Sequence, residues 1–447
     1  MQKKTHATRR DFLKKSSAVA AGLALLNQGV PHVHAAENNT IPVALVGCGG
    51  RGTGAGAQAL STDGPTRLVA VADVYDFKCK ATVEMLTETH GDKVQTPKDR
   101  QFTGFDSYKN AIDAVGPGGV VLLCTPPAFR PFHLEYAIEK GVHVFMEKSF
   151  AVDPQGVRRV KAAAKKADEK GLKIVTGLMC RHSVRLEETI KRIQDGMIGD
   201  IITSRVTRVQ GPYPYAPQAA NQTPLQHQLL NFNSFTWLCG SFILDWMIHN
   251  IDVCAWAQGE KHPVSVQGQG GRQVRDEKDQ MLDHVALEYA YEDGRTMFLQ
   301  LRQIPNTWNF VGTTLHGTKG TAVVGEGIGD PRLYKGYKQT RDNILWAARM
   351  PEVHCYQYEH DRLFKAIRED LPWNEAERGC NAVLTGVIGR MAAESGKEIH
   401  LKDQLNSNVE LAPGIESLTM ESDSLVMPDT DGTYSTSIPK PGITSPV

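Results

Sequence analysis

The sequence predicts an α/β fold in two parts. The first is a doubly wound parallel sheet, and the second is an α+β domain with a large, mainly antiparallel open sheet. Three observations carry this. Apolar runs of strand length alternate with helical patterns from Ile41 to Gly177. A glycine cluster stands at the end of the first apolar run. Beyond Leu178 the helical interludes thin out, and runs with period two follow one another closely.

In the first part, strands are expected at Ile41–Val46, Leu68–Ala72, Gly119–Cys124, His143–Met146 and Leu172–Thr176, with helices such as Pro131–Lys140 and Pro154–Lys170 between them. The stretch Gly47-Cys48-Gly49-Gly50-Arg51-Gly52 directly follows the first strand, and Arg51 is a candidate cofactor contact along with its glycines. Gly47 permits a tight turn, Gly49 and Gly50 let backbone approach a pyrophosphate, and Gly52 lets helix and strand pack closely. The helix N-terminus behind them offers free N–H groups and positive dipole to an anion. Asp73 closes the second strand, 21 residues past Gly52, where a dinucleotide unit needs a carboxylate for the ribose hydroxyls. These features predict an N-terminal Rossmann dinucleotide-binding domain. Asp73 would repel a ribose 2′-phosphate, and no arginine follows it before Lys78, so NAD is favoured over NADP. Ligands of such sheets sit at the carboxyl ends of strands, which singles out Cys124-Thr125-Pro126-Pro127 and Glu147-Lys148-Ser149.

In the second part, a helix over Val184–Gly196 leads into a strand over Asp200–Gln210. The loop from Gly211 to about Asn233, rich in Pro, Tyr, Gln and Asn, is too long for a simple connector and suits a substrate cover or subunit contact. Mainly antiparallel strands are expected at Val264–Gln267, Asp283–Tyr289, Arg295–Leu301, Gly312–His316 and Thr321–Val324. Two late helices, Tyr358–Glu369 and Glu375–Ser395, are expected to pack on that sheet.

The ends of the chain carry other information. Thr8-Arg9-Arg10-Asp11-Phe12-Leu13-Lys14 is a twin-arginine pattern, followed by the apolar stretch Ala18–Leu26 and a small-residue site at Ala35-Ala36. The apolar stretch is shorter than the roughly 20 residues a bilayer span needs. The expected organisation is therefore a twin-arginine signal over 1–36, the dinucleotide-binding domain over 37–178, a substrate and oligomerisation domain over 179–402, and a polar C-terminal extension over 403–447. The pattern predicts export to the periplasm by the twin-arginine machinery. The extension has no helical or strand period and is expected to be a strap or partly disordered. Fifty basic residues balance fifty acidic ones, so no net field favours nucleic acid or an anionic membrane. Eight cysteines with neither CxxC spacing nor a histidine cluster argue for free thiols and no metal.

The segment most suggestive of chemistry is Gly240-Ser241-Phe242-Ile243-Leu244-Asp245-Trp246-Met247-Ile248-His249-Asn250-Ile251-Asp252. Helical spacing puts Asp245, His249 and Asp252 on one face. A polar stripe on an apolar helix faces either solvent, a satisfying core partner or a site. Together with the glycine fingerprint, Cys124-Thr125-Pro126-Pro127 and Glu147-Lys148, this helix resembles the Gfo/Idh/MocA oxidoreductases up to about Leu401. The resemblance implies that Lys148, Asp245 and His249 face nicotinamide and substrate, and makes Arg181, His182 and Asp252 candidate substrate contacts. Ser149 stands where that family's Glu-Lys motif usually continues with Pro.

These residue types suit hydride transfer between a bound nicotinamide cofactor and the hydroxyl of a sugar, glycoside or polyol. His249 can take or return the hydroxyl proton. Asp245 would orient the imidazole or share its proton. Lys148 would lose its own proton readily or donate a hydrogen bond to the alkoxide. Outside the cytoplasm the cofactor must be kept tightly and its oxidation state restored within each cycle. Two-substrate redox exchange and glycoside hydrolysis through transient oxidation both meet that need. A non-catalytic sugar-binding protein is the third expectation. The C-terminal sheet is expected to mediate homo-oligomerisation.

Overall fold

The computed structural model describes residues 39–446 except 277, so the signal-like segment, including Arg9 and Arg10, lies outside the described residues. From Ile41 onward the chain forms one unit with two sheets. The first comprises β1 (Ile41–Val46), β2 (Thr66–Asp73), β3 (Gln101–Thr103), β4 (Val120–Leu123), β5 (His143–Met146) and β6 (Ile174–Thr176), all parallel in the order β3-β2-β1-β4-β5-β6. The short β3 escapes the periodicity because three residues are too few to show alternation.

Alternation along β1 builds both faces of this sheet. Ala44 and Val46 pack with Ala111, Ile112 and Leu134 on one side, whereas Val43 and Leu45 pack with Ala55, Leu86 and Phe364 on the other. Phe364 belongs to the late helix Cys355–Arg368, which was expected to pack on the second sheet. It lies against the helix Gly50–Leu60 and β6 instead. The cause is an uncovered face: the crossover helices Arg130–Glu139 and Pro154–Glu169 both pack on the Ala44 side. Leu122, Phe145 and Val175 would face water on the opposite side without this late helix.

The second sheet contains β7 (Ile201–Gln210), β8 (Ser265–Gly271), β9 (His284–Ala290), β10 (Thr296–Gln303), β11 (Phe310–Gly317), β12 (Gly320–Val324), β13 (Arg332–Lys335), β14 (Ile344–Ala347) and β15 (Ile399–His400). Their order is β14-β13-β12-β11-β7-β10-β9-β8-β15, and only the β7–β10 pair is parallel. The helix Ala376–Ser395 packs on β8 and on Pro154–Glu169, bridging the two parts. The loop after β7 is less irregular than expected. Thr223 and Gln226 form a reciprocal capping box that starts a helix over Pro224–Leu230.

The C-terminal extension is an ordered strap with little regular structure. Ala412, Ile415, Leu418 and Tyr434 are buried. Asp153 accepts a hydrogen bond from Leu411 N at 2.8 Å, and Gln228 donates to the Tyr434 hydroxyl at 3.1 Å. The strap therefore ties the Pro154 helix to the segment that follows β7.

Candidate active site

The glycine turn is fixed by the backbone around it. Gly47 N donates to Ala72 O at 2.8 Å, and Cys124 N donates to Val46 O at 2.8 Å. Gly47 has φ +98°, and a Cβ there would lie 2.6 Å from the carbonyl carbon of Cys124. A Cβ on Gly52 would come within 1.8 Å of Gly47 O, so close helix–strand packing demands that glycine. Gly49 and Gly50 differ: a Cβ on either meets nothing within 4 Å. The protein itself leaves that space open at the start of the helix Gly50–Leu60, whose N-terminus has no side-chain cap. A cleft opens beside it, lined by Gly47, Gly49, Asp73, Cys124, Thr125 and Pro126 among others. Asp73 sits on its rim, taking Cys48 N at 2.8 Å and Tyr75 N at 3.0 Å. The cleft thus sets an uncapped helix N-terminus and a carboxylate side by side, the two groups that a dinucleotide's pyrophosphate and ribose require. Leu229 and Phe232, from the segment after β7, form part of its wall, and the Tyr75 hydroxyl donates to Gln226 O at 2.9 Å.

Arg51, expected on the cofactor, is committed elsewhere. Its guanidinium reaches Glu147 at 2.5 Å and Glu359 at 2.9 Å. Burial disfavours the Arg51 charge, but Glu147 and Glu359 outweigh it and hold the proton on. Burial, reinforced by Glu147, pushes the Glu359 carboxyl well up despite the Arg51 charge. Glu147 also accepts from Lys148 N at 3.0 Å, and Gly177 makes room for it, since a Cβ there would lie 2.8 Å from the carboxylate. Glu147 is thereby the brace that aims the Lys148 loop. Pro127 is buried at the start of a short helical turn, and does not line the cleft.

Lys148 leaves β5 and reaches into the second part. Its Nζ donates to Asp245 O and lies 3.1 Å from Asp245 Oδ1. The other Asp245 oxygen accepts from Asn233 Nδ2. Both carboxylate oxygens are thus occupied, and no hydrogen bond joins Asp245 to His249. The expected helical stripe is altered because Ile243–Met247 is a π turn, with the α-helix beginning only at Ile248. The wider turn changes the angular relation between Asp245 and His249. Asp245 therefore positions Lys148, and the expectation that it orients the imidazole is corrected. Ser149 contributes to the same arrangement: its hydroxyl donates to Leu244 O inside the π turn.

His249 is buried, and its Nδ1 has no hydrogen-bond partner. Burial, then the charges of Lys148 and Arg208, push its pKa well below the ordinary histidine value. The imidazole is neutral at neutral pH, able to accept a proton. Asp252 belongs to a different cluster. It pairs with Arg181 through two contacts at 2.7 and 2.8 Å, and Arg181 also meets Glu260 at 2.6 Å. His182 lies 3.5 Å from the buried Glu375. The polar partners of Arg181, His182 and Asp252 are thus internal, so their expected substrate contacts gain no support from their geometry.

Sequence reasoning missed several groups around this centre. Arg208 on β7 and Glu326 after β12 form an ion pair. Burial raises the Glu326 carboxyl, Arg208 and Lys148 oppose this, and Asp245 adds to it. The Tyr213 ring lies 5.0 Å from that of Trp246, and its hydroxyl feels Asp245 and Lys148 as well as burial. Tyr213 and Asn233 stand at the two ends of the long loop, whose composition was the signal available for them. No group of three or more metal-ligating side chains occurs among the described residues.

Comparison with known proteins agrees with this architecture. Residues 41–173 match the family described as "Oxidoreductase family, NAD-binding Rossmann fold", and residues 187–323 match the "GFO/IDH/MocA C-terminal domain". The chain belongs to the Gfo/Idh/MocA family. It is 27% identical over 227 residues to inositol 2-dehydrogenase of Rhizobium meliloti (strain 1021), a match spanning 51% of this chain and 57% of that relative. The scyllo-inositol dehydrogenase from Lactobacillus casei with bound NAD(H) and scyllo-inositol has TM-score 0.59 and 21% identity, with 81% of this chain and 99% of that chain covered. The aldose-aldose oxidoreductase from Caulobacter crescentus complexed with glycerol has TM-score 0.61 and 18% identity, again over 81% and 99% of the two chains. These likenesses extend the two-domain fold across most of the chain.

Proposed function

We propose that this protein transfers a hydride between a tightly held NAD and a secondary hydroxyl of a sugar, glycoside or polyol. The observation that carries the reading is the meeting of Lys148, leaving the dinucleotide-binding sheet, with Asp245 and the neutral His249 region of the second part. Gly47, Gly49, Gly50 and Gly52 would hold the pyrophosphate, and Asp73 the ribose hydroxyls. The bound nicotinamide supplies a hydride acceptor in oxidation and a donor in reduction. The protein's own residues handle the proton. His249 accepts it from the substrate hydroxyl, while Lys148, held by Asp245, donates a hydrogen bond to the oxygen as negative charge grows there. In the reverse direction His249 returns the proton. The polyol class is supported by the inositol 2-dehydrogenase relative.

The twin-arginine pattern at Arg9-Arg10 adds export of the folded, cofactor-loaded protein. Retention is favoured by Leu229, Phe232 and the Tyr75–Gln226 contact, which cover one end of the cleft from the second part. The cofactor would then be restored within each cycle by a second carbonyl substrate. Homo-oligomerisation would use the open face of the second sheet, where Ile202 and Phe298 are exposed.

Denaturing purified protein and identifying the released nucleotide tests the cofactor; mainly NADP would overturn the Asp73 assignment. Incubating the protein with sugars, polyols and aryl glycosides and weighing the products tests the chemistry. Loss of two mass units marks oxidation, a freed aglycone marks net hydrolysis, and no product marks a binding protein.

A further inference from the structure

We propose that Arg208, Glu326 and Tyr213 form a second anchoring point for the substrate, selecting neutral cyclic sugars or polyols with adjacent hydroxyls over their carboxylated or phosphorylated counterparts. This rests on the hydride-transfer reading and names the substrate class of that same site.

The pair is built into the catalytic elements. Arg208 Nη1 donates to Trp246 O at 3.2 Å, and its guanidinium lies 4.9 Å from the Trp246 ring centroid, one residue after Asp245. Glu326 N donates to Asn250 Oδ1 at 2.9 Å, one residue after His249. A Cβ on the preceding Gly325 would lie 2.0 Å from that same oxygen, so the turn is pressed against the helix. Movement of either anchor would displace a neighbour of Asp245 or His249.

Charge determines what the pair recognises. Lys148 is paired with Asp245, and Arg208 with Glu326. An anionic substituent would find each cation already neutralised and would meet the Glu326 carboxylate. Two adjacent hydroxyls suit the pair, because one can accept from the guanidinium while the other donates to the carboxylate. Tyr213 remains 39% exposed beside the buried Trp246, offering an aromatic face to the C–H side of a ring.

The test compares wild type with Glu326→Gln and Tyr213→Ala, each carrying bound NAD, on myo-inositol, D-glucose, D-glucuronate and glucose 6-phosphate. Bound-nucleotide content and thermal midpoint report folding, and the partly exposed Tyr213 provides a second variant should Glu326→Gln fold poorly. Wild type should prefer the neutral compounds by about tenfold or more in kcat/KM. Glu326→Gln frees the Arg208 charge, so KM should rise for neutral substrates and fall for D-glucuronate. Tyr213→Ala should raise KM for all of them. If wild type oxidises neutral compounds but neither variant changes KM or the neutral-to-anionic ratio, the subsite is overturned while hydride transfer stands. If wild type oxidises none of the panel, both readings fall.

Discussion

The glycine turn and the Lys148 centre are built on opposite plans. The glycine turn is a local construction between one strand and one helix, and its defining property is space: a Cβ on Gly49 or Gly50 would meet no other atom within 4 Å. The centre around Lys148 is made by residues far apart in sequence, and its defining property is paired charge, Lys148 with Asp245 and Arg208 with Glu326. Under the proposed hydride transfer, the first would keep one cofactor from cycle to cycle, whereas the second would accept a substrate, stabilise the charge that appears during reaction and release a product. A preformed cavity suits the first task. Fixed donors around a neutral base suit the second.

The sharpest way to break this comparison is to remove the base. His249→Ala should lower turnover by about 100- to 10,000-fold, the range of a general acid–base group, while bound NAD and thermal midpoint stay near wild type. Because burial, Lys148 and Arg208 hold His249 well below its ordinary pKa, the wild-type rate should show no inflection near pH 6.5. A protein that unfolds on this change, with rate per folded molecule unchanged, would make the histidine a core residue.

The glycine cleft can be divided in the same manner. Gly52→Ala would place a methyl 1.8 Å from Gly47 O and should cost about 1–3 kcal/mol of stability, as overpacking does. Gly49→Ala meets nothing in the protein, so its thermal midpoint should hold while the nucleotide recovered from purified protein falls. Equal effects of the two changes would show that Gly49 serves the fold and not a ligand.

What was legible in the sequence follows the same division. The glycine turn and Asp73 are legible because a strand, a turn and a helix impose fixed local spacings, and the Glu147-Lys148-Ser149 loop because it ends a strand; a role for Lys148 comes only with the family resemblance. The ends of β1 and β5 were also correctly placed by alternation and apolar runs. The partners Arg208, Glu326, Tyr213 and Asn233 could not be found so, because β7, the turn after β12 and the long loop meet only through the second sheet. The π turn was hidden for another reason. Its residues are compatible with an ordinary helix, and only tertiary contacts such as Ser149 with Leu244 O distinguish it. The late helix Cys355–Arg368 was misplaced because its apolar stripe states that it must be buried, not against which sheet.

Burial of neutral histidines sharpens the comparison on the stability side. His133 lines the glycine cleft, its ring tilted against that of Tyr108 with centroids 4.1 Å apart, and burial followed by the Arg130 charge lowers its pKa to about 3. In the unfolded chain a histidine titrates near 6.5. Above about pH 6.5 both states are neutral and the contribution is fully present. As pH falls below that value the unfolded chain takes up a proton that folded His133 refuses, so stability is lost until about pH 3. The slope is about 1.4 kcal/mol per pH unit, or 2–3 kcal/mol by pH 4.5. His249 and His360 are shifted in the same direction. Denaturant unfolding between pH 7 and 4.5 should show this loss, and His133→Phe should reduce its slope. An unchanged slope would mean that His133 is already protonated when folded.

The smallest effect expected distinguishes a brace from a bystander. The Ser149 hydroxyl donates to Leu244 O, and both residues are fully buried. Ser149→Ala leaves that carbonyl without this donor, at a cost of about 1 kcal/mol in unfolding free energy. The informative readout is kinetic. Lys148 is the preceding residue in the chain, and its ammonium depends on Asp245, the residue after Leu244. Loosening the tie between loop and turn should therefore lower kcat several-fold more than it raises KM, since the hydrogen bond Lys148 offers gains strength as charge develops on the substrate oxygen. Ser149→Thr keeps the hydroxyl and should recover most of the rate. If alanine and threonine behave alike in kcat, the hydroxyl contributes to folding alone, and Asp245 with Glu147 suffices to aim the lysine.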